Sequence, residues 1–278
     1  MNDPVTTTEL LIQSGVRKST SPVAKTFLLG IVAGAFIAFA SAASNVAIHT
    51  IPSVGLAKTL AGALFAAGLM MVVFFGAELF TGNMLMSIAM FRGAARPMAV
   101  LKNWVIVYVG NFAGSILIAF LVVISGQLDF SGGDLGAFTL KTAAYKADLG
   151  FVEGLSLGIL CNWLVCMAVW MAASAKSAAG KILGIFFPIW LFITSGFEHS
   201  VANMYYIPAG LFIKGNAEYY AGALSLGASA GSLEGLNWSS FLFGNLLPVT
   251  LGNMIGGIVF VGAAALLAFG RRSEGTGV

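Results

Sequence analysis

Three ionisable side chains, Glu78, Glu198 and His199, sit inside long apolar stretches, where each is costly and defaults to a functional role. Histidine donates a hydrogen bond when neutral and carries a proton near physiological pH. Facing a pathway, His199 can therefore bind a small anion or hand it a proton. The plainer alternative is a buried histidine satisfied by Glu198 or by a carbonyl. Thr81, in Glu78-Leu79-Phe80-Thr81-Gly82-Asn83, offers a hydroxyl to a permeating oxyanion, an N-cap to a half-helix, or both. The two carboxylates can serve structure by accepting hydrogen bonds from freed backbone N–H groups or from the neighbouring asparagines.

Catalytic chemistry has little to build on. The chain has no G-x-G-x-x-G in a βαβ context, no Walker A sequence and no H-E-x-x-H. Ser200 adjoins His199, but adjacency in sequence does not make a usable dyad. His49 is the one other histidine and falls in a loop, so no metal site is expected. Cys161 and Cys166 are the only cysteines, and their spacing puts them on different faces of a helix, which disfavours a disulfide or a metal pair. The expectation is a protein that is not an enzyme and holds no cofactor or metal.

The elements that must position these residues are membrane spans. Of 278 residues, 58% are apolar and 9% charged, against about 25% charged in an average soluble domain. Such a chain cannot clothe a water-facing surface, and its net charge of +3 is too small and scattered for a nucleic-acid partner. Apolar segments run at 27–48, 59–91, 103–125, 152–173, 182–213 and 241–269, and about 20 apolar residues cross a bilayer. Residues 1–26 lack the apolar core of a signal peptide and contain a short amphipathic stretch from Leu10 to Val16. With the N-terminus inside, Arg17, Lys18, Lys25, Arg92, Arg96, Lys102, Lys176, Lys181, Arg271 and Arg272 face the cytoplasm, and only Lys58, Lys141, Lys146 and Lys214 face out. Ten against four places both termini in the cytoplasm.

Spans two and five are too long. As straight helices each would reach about 48 Å at 1.5 Å per residue, and each carries a polar interruption, so both are read as broken helices. The halves also repeat. Gly76-x-Glu78-x4-Asn83-Met84 recurs as Gly196-x-Glu198-x4-Asn203-Met204, and Asn103-x6-Gly110-Asn111-x2-Gly114 as Asn245-x6-Gly252-Asn253-x2-Gly256. More weakly, Gly30-x3-Gly34 recurs as Gly154-x3-Gly158. A unit of three spans must insert in alternating directions, and inverted repeats with paired broken helices are transporter and channel architecture. The fold class expected is all-α and integral to the membrane: six spans as two inverted repeats, 27–124 and 151–270, within one channel domain of residues 1–278. His199 breaks the repeat, its counterpart being Leu79.

The motifs Glu78-Leu79-Phe80-Thr81-Gly82-Asn83, Lys102-Asn103-Trp104, Gly158-Ile159-Leu160-Cys161-Asn162, Phe197-Glu198-His199-Ser200-Val201-Ala202-Asn203-Met204 and Pro248-Val249-Thr250-x-Gly252-Asn253 resemble the formate/nitrite transporter family. The resemblance runs from about residue 10 to 268. It implies a homopentamer of aquaporin-like protomers in the lipid of the cytoplasmic membrane, each with its own pore for small monovalent anions. It carries Thr81 and His199 to a central chamber. It assigns Leu79, Leu69 and Phe192 to a cytoplasmic constriction, and Phe65, Asn162 and Val165 to the periplasmic side. It makes Lys146 a vestibule lysine, puts Glu198 and Asn253 behind the histidine, and gives the N-terminal helix, about residues 5–20, a part in gating. Formate is the favoured anion, on the likeness of the F-E-H-S and N-W-L-V-C segments to formate members, with nitrite and hydrosulfide as alternatives and proton linkage left open. A neutral-solute pore of the aquaporin kind fits less well, because no arginine lies in any span.

Overall fold

The computed structural model describes residues 1–270; Arg271 and Arg272, counted above, lie outside the described residues. Those residues are all helical. Helix α1, Pro4–Ser19, begins where Asp3 Oδ1 accepts from Thr6 N–H at 2.9 Å, with Pro4 in the first turn and Arg17 and Lys18 in the last. It is a full helix rather than the short stretch expected from Leu10 to Val16. Five helices are long and apolar enough to span a membrane: α2, Val23–Ile48; α3, Val54–Phe75; α6, Pro97–Ile124; α8, Phe151–Ser174; and α13, Ser240–Phe269. The interrupted segments are as the sequence requires. Helix α3 stops at Gly76 and is followed by α4, Phe80–Asn83, and α5, Met86–Phe91. Helix α9, Ala178–Thr194, stops before Gly196 and is followed by α10, Ser200–Ile213. Gly76 (φ 77°) and Gly196 (φ 74°) take the left-handed conformation that ends each first half.

Backbone freed by a break must find partners inside a membrane. Of the two structural roles open to the carboxylates, the second holds: Glu78 and Glu198 accept from Asn83 and Asn203. The freed N–H groups are served by two other asparagines, in the same way in both halves. Asn111 Oδ1 accepts from Phe80 N–H and Asn253 Oδ1 from Ser200 N–H, both at 2.9 Å. Their amides donate back to the carbonyls of Glu78 (2.9 Å) and Glu198 (3.0 Å), and to those of Gly30 and Gly158, both at 2.8 Å. These bonds set the repeat register. Gly30 corresponds to Gly158, not to Gly154, so the weak glycine match read from sequence is out by one helical turn. Gly34 then corresponds to Asn162.

Small residues make this possible by letting α2 cross α6, and α8 cross α13, backbone to backbone. A methyl on Gly34 would stand 2.1 Å from the Asn111 carbonyl oxygen, and one on Gly252 2.2 Å from that of Leu155. The two repeats therefore have matched cores. Their outer faces carry exposed Phe74, Val105, Leu121, Phe187 and Phe243, an apolar band unsuited to water.

The match also extends beyond 27–124 and 151–270. Helix α7, Asp134–Ala147, precedes the second repeat as α1 precedes the first, and each contributes a lysine to its half. The segment between α10 and α13 adds two short helices on the α7 face, α11, Ala217–Ser225, and α12, Ala230–Gly235.

Candidate permeation site

The two breaks meet at the centre, where His199 Nε2 lies 2.9 Å from Thr81 Oγ1. His199 is the N-cap of α10, its Nδ1 accepting from Ala202 N–H at 3.1 Å. An acceptor Nδ1 carries no proton, so the neutral ring keeps its hydrogen on Nε2 and donates it to Thr81. The threonine hydroxyl is then free to donate to something else. His199 does not bond to Glu198, which turns away toward α7. Thr81 and His199 are 0% and 3% exposed, so neither competes with bulk water.

Asn162 lies at the same level. Its amide donates to the Thr81 carbonyl at 3.2 Å and to the Asn253 carbonyl at 2.6 Å, while its Oδ1 has no partner. Asn162 thus joins the first break, at Thr81, to the Asn253 backbone that serves the second. Three residues here depart from the repeat: Thr81 stands opposite Val201, His199 opposite Leu79, and Asn162 opposite Gly34. All three touch one another or share a partner.

Phe192 also moves. Its ring packs edge-on against Phe65, centroids 5.7 Å apart, and lies over His199 at 6.0 Å. The contact joins it to Phe65, across the grouping with Leu69 and Leu79 that the sequence reading made. The reason is direction: α9 runs antiparallel to α3, so Phe192, near the end of α9, reaches Phe65 at the middle of α3. Leu69 follows Phe65 by one turn toward Gly76, and Leu69, Leu79 and Val165 are all buried. Phe192, over the His199 ring, gives the histidine one apolar wall.

Each carboxylate ends a parallel network. On the α7 face, Lys146 Nζ donates to Glu198 Oε1 at 2.7 Å, and Asn203 joins Glu198 Oε2 to Asn245 Oδ1, both at 2.7 Å. Asn245 closes the loop on the Lys146 carbonyl at 2.7 Å. On the α1 face, Lys18 Nζ donates to Glu78 Oε2 at 3.1 Å and to Asn83 Oδ1 at 2.6 Å. Asn83 joins Glu78 (2.6 Å) to Asn103 (2.9 Å), which returns to the Lys18 carbonyl at 3.3 Å. Lys146 is helical, not in a loop, and opens on a vestibule of about 920 Å³ whose wall also holds Lys58, Lys141 and Glu198. Lys18 and Lys58 escaped the sequence reading as site residues. Lys18 lies 60 positions before its carboxylate, outside the repeat as first drawn, and its one trace was its place ahead of span one, as Lys146 stands ahead of span four.

Two broken spans joined end to end around a buried hydrogen-bond donor define a membrane pore or transporter. Comparisons with known proteins agree. The profile of the formate/nitrite transporter family matches residues 5–267. The formate channel FocA of Escherichia coli K12 is 36% identical over 276 residues, covering 98% of this chain and 95% of that one. A probable formate transporter of Methanothermobacter thermautotrophicus is 38% identical over 262 residues, 88% of each chain. A solved pentameric formate channel with formate bound superposes with a TM-score of 0.80 at 36% identity, over 90% of this chain and 98% of that one. The chain belongs to the formate/nitrite transporter family.

Proposed function

We propose that this protein is a pore for small monovalent anions, formate foremost, with one pathway through each protomer of a homopentamer. It performs no chemistry of its own. The α1 face lies in the cytoplasm and the α7 face outside the cytoplasmic membrane, as the lysine and arginine count favours. The observation that carries the reading is the His199–Thr81 contact, 2.9 Å long, buried where the two breaks meet.

Lys58, which has no ion-pair partner among the described residues, and Lys146 beside it in the vestibule wall offer the anion its first contacts. Beyond them, Phe65 and Phe192 strip the anion of water, and a bare charge there costs several kcal/mol or more. Taking up a proton removes most of that cost for a weak-acid anion. The hydrogen bond at Nδ1 decides His199's part. A doubly protonated ring must give up the Ala202 N–H bond and with it the start of α10, so His199 serves as a hydrogen-bond donor through Thr81, and the proton comes from water. Asn162 fixes Thr81 by its carbonyl, and Glu198 and Asn253 hold the break in place.

The test is pH-dependent flux of formate, nitrite, hydrosulfide, chloride and glycerol in liposomes, with pentamer retention on size exclusion. His199→Asn keeps an N-cap acceptor and a donor without titrating, and is expected to pass formate with the wild-type pH profile at reduced rate. His199→Phe removes cap and donor and is expected to lose transport. An asparagine variant that assembles but loses its pH dependence would make His199 the proton carrier. Wild-type flux in both variants would remove it from the pathway.

A further inference from the structure

A second, smaller cavity of about 180 Å³ lies on the α1 face, beside the Lys18 and Asn103 side of the first break's network, at the linker that joins α1 to α2. Its wall combines that linker with Thr26 of α2 and Lys102 of α6. What distinguishes it is an excess of donors. Thr26 is only 2% exposed, yet its hydroxyl makes no hydrogen bond among the described residues, not even the usual one to the carbonyl four residues back. The Ser21 hydroxyl is likewise unengaged. Lys102 is exposed and forms no ion pair there. Helix α2 starts at Pro22 with no side-chain cap, so the N–H groups of Val23, Ala24 and Lys25 are unsatisfied at the positive end of a 26-residue helix. No carboxylate lines the cavity. Lys18, on its far wall, is already engaged by Glu78 and Asn83.

Thr26 apart, these donors reach solvent, but they gather on one cavity whose wall offers no carboxylate, and such a grouping favours an anion. We propose that this cavity is a binding site for one phosphate group, held by Lys102, the Thr26 and Ser21 hydroxyls and the first turn of α2. The group can come from free phosphate or from an anionic lipid headgroup, since the donors recognise the same oxyanion in either. Because the site is made partly of the α1–α2 linker, its occupant ties α1 to the body of the protein, next to the lysine that reaches the first break.

The experiment uses the purified full chain in detergent, stripped of lipid, and follows its thermal midpoint. One arm titrates inorganic phosphate against chloride at matched ionic strength. The other adds phosphatidylglycerol, with phosphatidylcholine as control. The expected result is an upward shift in the wild type and in Lys25→Gln, whose charge is nearby but not in the wall. In Lys102→Gln and in Thr26→Val the apparent affinity should fall by about tenfold, the value of one charge-assisted hydrogen bond. A response to phosphate alone assigns the site to a soluble anion, and a response to phosphatidylglycerol alone assigns it to lipid. No shift in either arm, or a shift that Lys102→Gln and Thr26→Val both retain, overturns the proposal.

Discussion

The Lys18 and Lys146 networks have matching members and, but for one bond, matching connections, yet they differ in how they are held. Lys146 is 15% exposed at its side chain and its partner Glu198 4%; for Lys18 and Glu78 the values are 29% and 10%. Lys146 rides on a helix packed against α10, its ammonium 5.3 Å from the Tyr206 ring. Lys18 ends a terminal helix whose polar contacts to the body are the Asn2 backbone and side-chain bonds to the Ser174 (2.7 Å) and Ala173 (3.4 Å) carbonyls, the Glu9–Arg92 pair at 3.8 Å, and the bonds of Lys18 itself. Lys18 bridges both Glu78 and Asn83, whereas Asn203 Oδ1 is buried without a partner. The repeat thus holds one network within a wall and sets the other, nearer water, as a fastener at the end of α1.

The sharpest break of this comparison is to neutralise each carboxylate. Glu198→Gln leaves a mostly buried ammonium unpaired and is expected to cost about 3 kcal/mol. Glu78→Gln, whose lysine can reach water, is expected to cost about 1 kcal/mol or less. Chemical or thermal unfolding of the pentamer checks both, and equal losses would erase the distinction between wall and fastener.

Next in size is the effect of the flanking apolar pairs. Phe65→Ala with Phe192→Ala opens the approach from the Lys146 side, and Leu69→Ala with Leu79→Ala the approach from the Lys18 side. Since Phe65 and Phe192 touch, the phenylalanine double variant is expected to admit acetate several-fold faster in liposome flux. An unchanged size limit in a pentameric protein would place the constriction elsewhere.

A smaller effect distinguishes the lysines themselves. Lys18→Met is expected to speed amide exchange along α1, while Lys146→Met leaves α7 protected, because α7 is also pinned through Tyr219, whose hydroxyl donates to Asp129 beside it. Comparable exchange in both helices would show that α1 is packed as firmly as α7.

The smallest effect concerns the helix caps. The Thr6 hydroxyl, then the Thr6 N–H, hold the Asp3 carboxyl below its ordinary value of 3.8. A depressed carboxylate stabilises the fold above its unfolded pKa, and that contribution is lost as pH falls through the folded one. Exchange at the start of α1 should therefore rise below about pH 4. Helix α7, whose N-cap is Gly133 with no side-chain bond, lacks this capping contribution. A flat profile in α1 would mean that Asp3 does not cap it in solution.

Composition and two spaced repeats carried the membrane class, the six segments and the broken second and fifth spans, and singled out His199 as the residue that breaks the repeat. These follow from sequence alone because a bilayer leaves few solutions: an apolar run must be helical, and a polar interruption at that depth must be sheltered. A residue that breaks a repeat is visible in one dimension, provided the register is right. Register failed for the weaker glycine match, since small residues recur at every turn of a closely packed helix and only the asparagine bonds to the Gly30 and Gly158 carbonyls choose among them. The tautomer of His199, the move of Phe192 to Phe65 and the pairing of Lys18 with Glu78 were decided by the tertiary structure. Each depends on which ends of distant, antiparallel helices come within hydrogen-bond or van der Waals reach, and separation along the chain carries no measure of that.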